Sequence, residues 1–225
     1  KPVADIRIDG AGKKVTRSDN CRVSDLSVSS DNLTFTYEAK SLPYPIDTSY
    51  YDNEKHTQAD ALSVIPFMDE MNYEGLSVSG LSDGYYGLTI GGEFIGRFTA
   101  RELERGINMA LLQNTPQYKQ AMKIRQMNEE RWLKERKMRE FYWVEYNLMR
   151  KTGMLWACNE AAVDTLRKYR PHDIFLQWNG ALWLQYMHKG IREDCVNEQQ
   201  DLVNQIYEQN KPIPLQIEIK KFTDL

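Results

Sequence analysis

Apolar and polar residues alternate through the first hundred positions, and the period changes near Thr99. Ala4, Ile6 and Ile8 alternate with Asp5, Arg7 and Asp9, the period-two signature of a strand with one buried face. Gly10-Ala11-Gly12 turns the chain. Val23, Leu26 and Val28 form a second, less regular run, and Leu33, Phe35 and Tyr37 alternate with Thr34, Thr36 and Glu38. Between those runs, Ser29-Ser30-Asp31-Asn32 is turn chemistry, because short polar side chains hydrogen-bond their own backbone. Leu42-Pro43-Tyr44-Pro45 predicts an extended path, since each residue before a proline is pushed out of the helical region. Residues 47–60 read as a polar, aromatic surface loop, and 61–71 as a short helix or extended segment. Leu76 and Val78, then Gly80-Leu81-Ser82-Asp83-Gly84, then Tyr86, Leu88 and Ile90 predict a hairpin; Asp-Gly between alternating runs is a strong signal for one. Gly91-Gly92-Glu93 predicts a second turn.

Helical spacing takes over at Thr99. Thr99-Ala100-Arg101-Glu102 fits a capping box, with Leu103, Ile107 and Leu111 following at four-residue spacing. Thr115-Pro116 reads as an N-cap and first helical position, where the missing proline N–H costs nothing. No breaker interrupts the stretch from Pro116 to about Lys151, which predicts one helix of roughly 54 Å. Further helices are expected over 159–169, 174–188 and 193–209. After Pro212 and Pro214, Leu215, Ile217 and Ile219 return to strand alternation. The fold class expected is α+β: a small antiparallel β unit, then a helical bundle with one long helix and a returning C-terminal strand. The change of period divides the chain into a β-rich subdomain, 1–98, and a helical subdomain, 99–225, ending in a strand over 212–222.

Composition narrows the functional classes. Aromatic residues, 11% of the chain and spread along it, exclude disorder born of low hydrophobicity. Twenty-nine Lys and Arg against thirty-two Asp and Glu leave a formal charge of −3, with no positive surplus to neutralise nucleic-acid phosphates. No apolar run reaches the roughly 18–20 residues of a membrane span. Cys21, Cys158 and Cys195 are few, odd in number and far apart, so three buried free thiols are expected, with a Cys158–Cys195 disulfide as the alternative. The start at Lys1-Pro2-Val3, without Met or an apolar leader, carries the expectation that a leader, tag or preceding domain has been removed.

Few residues suggest chemistry. Gly80-Leu81-Ser82-Asp83-Gly84 matches the G-x-S-x-G nucleophile elbow, but that motif needs a helix after the serine and a strand is predicted here, so Ser82 reads as a hairpin-turn residue. His56, His172 and His188 have neither metal-site spacing nor a triad partner, and structural or surface roles are expected. Glu129-Glu130, between Arg125 and Arg131, reads as a solvated helix face. Gly91 and Gly92 stand outside any phosphate-binding frame. No catalytic residue, metal or cofactor is therefore assigned. Loop tyrosines can stack on a sugar or line a partner surface, and Tyr44, Tyr50 and Tyr51 are the candidate ligand-binding residues; Tyr85 and Tyr86 sit at the expected hairpin.

One family resemblance emerges from these residues. Leu42-Pro43-Tyr44-Pro45, Ile65-Pro66-Phe67, Met71-Asn72, Leu76-Ser77-Val78-Ser79-Gly80-Leu81, Gly84-Tyr85-Tyr86, Ile90-Gly91-Gly92 and Phe98-Thr99-Ala100-Arg101-Glu102-Leu103 resemble the C-terminal region of bacterial SGNH (GDSL-type) hydrolases. Gly106-Ile107-Asn108-Met109-Ala110, Asn114-Thr115-Pro116-Gln117-Tyr118 and Gln120-Ala121 continue it, and the helical part is compatible with the tails of the same proteins. In that family the serine lies in a Gly-Asp-Ser block and the histidine in an Asp-x-x-His block. Neither block occurs here, so no catalytic residue carries over. The resemblance implies an accessory C-terminal region of a secreted or periplasmic ester hydrolase of the lipase/acylhydrolase or carbohydrate-esterase class. It would be inactive alone, partnered by the catalytic domain of the same polypeptide and by a glycan or acyl-ester substrate. The alternatives are an independent carbohydrate- or protein-binding module using the loop tyrosines, and a structural domain self-associating through the long helix.

Overall fold

Two sheets and a set of helices make up the computed structural model, which describes residues 1–48 and 57–222. The architecture is α+β. β1 (Ala4–Asp9), β2 (Lys14–Asp19), β3 (Cys21–Val28) and β4 (Asn32–Ala39) come first, followed by the single-turn α1 (Phe67–Glu70). β5 (Glu74–Ser79), β6 (Tyr85–Ile90) and β7 (Glu93–Thr99) precede α2 (Ala100–Arg105), β8 (Ile107–Asn108) and the long α3 (Pro116–Val144). α4 (Glu160–Tyr169), α5 (Ile174–Tyr186) and α6 (Lys189–Gln209) lead to the closing β9 (Leu215–Lys221).

One sheet has the order β2-β1-β5-β8, the other β3-β4-β9-β6-β7. Pairing is antiparallel except for β1 with β5, which run parallel with Ile6 opposite Leu76 and Ile8 opposite Val78. β9 lies in the middle of the five-stranded sheet. Its Ile217 stands between Phe35 and Ile90, and its Ile219 between Leu33 and Leu88. These side chains share one core with Ile6, Ile8, Leu76, Val78 and Leu103.

The hairpin expected across Gly80–Gly84 does not form. β5 and β6 belong to different sheets, so Asp83-Gly84 carries the chain from one sheet to the other. The turn at Gly91-Gly92 does join a hairpin, β6 to β7, with both glycines at positive φ, where a Cβ is strained. Strand β2 was not anticipated. It is a nearly wholly exposed edge strand, and an edge solvated on both faces carries no apolar alternation.

The helical expectations are closer. Thr99 and Glu102 form the capping box: Thr99 N donates to Glu102 Oε2 at 2.7 Å, and Glu102 N to Thr99 Oγ1 at 3.1 Å. Gly106, at φ +93°, then stops α2, so Ile107 pairs with Leu76 in β8 instead of continuing a helix face. Tyr118 N donates to Thr115 Oγ1, capping α3. Past Val144 the helix widens into a π-helical turn, Glu145–Met149, and Asn159 and Asp173 cap α4 and α5 through their side chains.

Contacts divide the chain into one unit of residues 1–125 with 209–225 and a second of 126–208. The boundary falls within α3 and not at the change of period, because α2 packs on β5 and belongs to the sheet unit. The helical unit has its own core, including Phe141, Val144, Leu166, Leu176 and Trp183.

Candidate functional site

Ser82 lies in the connection between the sheets. Its Oγ is 3.1 Å from Tyr86 Oη and accepts from Lys221 Nζ at 2.8 Å, while Tyr86 Oη donates to Ser82 O at 2.9 Å. The Ser–Lys contact was not legible in sequence; it arises because Tyr86 and Lys221 are register partners on β6 and β9. β6, not a helix, follows the turn. The group ties the connection down and lacks the elbow geometry. Tyr86 is buried, in line with its alternation with Leu88 and Ile90, whereas Tyr85 is half exposed beneath the Arg97 guanidinium.

The tyrosine candidates separate. Tyr44 is half exposed, its ring edge-on to Phe67 at 5.7 Å. Asn72 clasps its backbone, accepting from Tyr44 N at 2.7 Å and donating to Tyr44 O at 2.9 Å. Tyr50, Tyr51 and His56 lie outside the described residues.

His172 and His188 are exposed. His188 Nδ1 lies 3.4 Å from Cys158 Sγ. All three cysteines are free; Cys158 is exposed, which corrects the expectation of three buried thiols. Burial pushes the Cys21 thiol up to about 11, so it holds its proton at neutral pH. Among the described residues, no three or more His, Cys, Asp and Glu are placed to hold a metal ion. Glu130 pairs with Lys134 one helical turn on, consistent with a solvated face.

Two buried carboxylates escaped sequence reading because single acidic residues in apolar runs announce no partner. Glu74, wholly buried in the sheet unit, accepts from Tyr37 Oη at 2.8 Å and Gln117 Nε2 at 3.3 Å. Desolvation pushes its carboxyl up to about 7, against the opposing pull of those two donors. Glu145 opens the π-helical turn of the helical unit. Its Oε1 accepts from Trp183 Nε1 and its Oε2 from Trp156 N, both at 2.8 Å. That second bond holds Trp156 at φ +63°, a conformation rare for a bulky residue.

Exposed aromatic residues with polar neighbours also gather in the helical unit. A cavity of about 330 Å³ is lined by Trp132, Arg136, Arg139, Glu140, Trp143 and Asn179. A second, of about 450 Å³, shares Trp143 and adds Asn147, Leu148, Lys151, Thr152, Tyr169, His172, Asp173 and Leu176. Phe175 stacks tilted on Trp143 at 5.3 Å, and Trp178 stands edge-on to Phe175 at 5.5 Å. The sequence spread these residues over α3 and α5, and only helix packing gathers them.

Known proteins supply a context for this geometry. Residues 122–211 match the family model described as the diltiazem deacetylase C-terminal helical domain. The fold over 99% of the chain matches a solved structure described as "BT4096 a gut microbial diltiazem-metabolizing enzyme", with a TM-score of 0.91 and 35% identity. The chain spans 50% of the length of that chain. No curated protein matches. The likeness is therefore to the C-terminal region of an esterase-type enzyme.

Proposed function

We propose that the chain is the C-terminal accessory region of an ester hydrolase of the SGNH (GDSL) type, packing on the catalytic domain and shaping access of an acyl ester to its cleft. The observation that carries this reading is the match of nearly the whole chain to half of a chain described as a diltiazem-metabolizing enzyme. The resemblance of residues 42–121 to the region following the catalytic domain in SGNH hydrolases supports the finer assignment. The chemistry of the described residues agrees with an accessory role. Ser82 sits in a sheet-to-sheet connection that is followed by strand β6, not in a strand-to-helix elbow. In this reading the parent enzyme is periplasmic or secreted.

Two measurements test it. The 225-residue chain, given p-nitrophenyl acetate and butyrate, is expected to release nitrophenol no faster than buffer; turnover abolished by Ser82→Ala would overturn the accessory role. The gene segment encoding residues upstream of Lys1 is expected to carry a Gly-Asp-Ser block followed by an Asp-x-x-His block. An upstream sequence with neither removes the SGNH assignment.

A further inference from the structure

We infer that the trough around Trp143 in the helical unit binds an oligosaccharide bearing uronic-acid carboxylates, with two adjoining sugar subsites that share the Trp143 indole. This does not rest on the accessory-region reading, since every residue involved lies within 126–208.

The shape comes first. Cavities of about 330 and 450 Å³ meet at one indole, and each lies within the usual range of small-molecule sites, roughly 300–1,000 Å³. Trp132 is 46% exposed, and Phe175, which stacks on Trp143, and Trp178, edge-on to Phe175, are 50% and 65% exposed. Rigid aromatic faces left in water beside a concavity offer stacking surface at little entropic cost. The C–H faces of pyranose rings suit such surfaces, and their hydroxyls need donors and acceptors around the rim.

The rim supplies both, with a positive bias. In the smaller cavity Arg136 and Arg139 face Glu140. Arg136 meets Glu140 through Nε at 2.7 Å, and Arg139 meets Glu135 through Nε at 3.4 Å. Each planar fork thereby keeps its terminal amino groups for a ligand, in the geometry that matches a carboxylate with two parallel bonds. The Arg139 guanidinium lies 5.5 Å over the Trp132 ring, so a carboxylate held by that fork brings its sugar ring to the indole. Lys151 supplies a cation to the larger cavity. Asp173 also lines this cavity, with its Oδ1 accepting from Phe175 N and Leu176 N at the start of α5. A fatty acyl chain would leave the terminal amino groups of both arginine forks without a partner.

Calorimetric titration of the whole 225-residue chain at low salt is the test, with digalacturonate as probe and uncharged galactobiose as control. Digalacturonate is expected to bind at least about tenfold more tightly than galactobiose. The exposed double variant R136Q/R139Q is expected to erase that ratio, because the glutamine amides still hydrogen-bond hydroxyls but carry no charge for the carboxylate. Trp132→Ala is expected to weaken both sugars about tenfold, and unchanged far-ultraviolet circular dichroism certifies that each variant is folded. No saturable binding of either disaccharide overturns the inference. So do equal affinities, an acid preference that survives R136Q/R139Q, and tighter binding of a glutamate-rich peptide or of ATP than of digalacturonate.

Discussion

Glu74 is a carboxyl that the fold favours in its protonated form. Burial raises it from 4.5 to about 7, and its partners Tyr37 and Gln117 are neutral. A raised folded-state value means that the native protein holds this proton more tightly than the unfolded chain does. Its contribution is complete below about pH 4.5, is lost as pH rises, and is gone above about pH 7. Urea denaturation at pH 5 and pH 8 is expected to show Glu74→Gln gaining stability over the parent at pH 8, by at most about 3 kcal/mol, with the gap shrinking at pH 5. A gap independent of pH would show that the carboxyl does not titrate in this window. Glu145 is an acceptor for two N–H groups, one of them the buried Trp183 indole. Glu145→Ala leaves both without their partner and is expected to cost about 3 kcal/mol in urea denaturation, with Glu145→Gln costing less because its amide oxygen still accepts one bond. Neither role was legible from the residue alone, because what an isolated acid does inside a core depends on which donors other segments bring to it.

Elements were legible where their signals are local. The Thr99–Glu102 capping box, the Thr115-Pro116 start of α3 and the caps at Asn159 and Asp173 each rest on side chains reaching only a few residues along the chain. The Gly80–Gly84 turn shows where local chemistry stops. Its residues specify a change of direction, but which strand pairs with which is settled by distant partners: β1 takes β5, and β9 takes β6. Strand β9 was expected from its alternation, but its central position was not. Ile217, fully buried between β4 and β6, therefore matters more than a terminal residue ordinarily would. Ile217→Ala is expected to cost about 2–5 kcal/mol, read from the shift in urea midpoint; a cost near zero would mean that β9 contributes little to the five-stranded sheet.

At the scale of the whole molecule, residues 126–208 hold a core built from their own side chains, Phe141, Val144, Leu166 and Trp183 among them, and the matching family model covers nearly the same span, 122–211. A polypeptide of residues 122–211 is thus expected to fold by itself, with helical circular dichroism and a cooperative thermal transition; a featureless melt would contradict an independent core. The sheet unit has no such continuity, because β9 returns from beyond the helices to its centre. Periodicity and caps, which depend on neighbours within a turn or a strand, were enough to determine the α+β class, the starts of α2 to α5 and the closing strand, while α6 begins at Lys189, four residues before the expected 193. Only the tertiary structure decided the division inside α3, the two-sheet pairing, the burial of Glu74 and Glu145, and the gathering of Trp132, Trp143 and Phe175 around one trough. Each of those depends on contacts between residues tens of positions apart, whose partners a linear pattern of polar and apolar residues does not name.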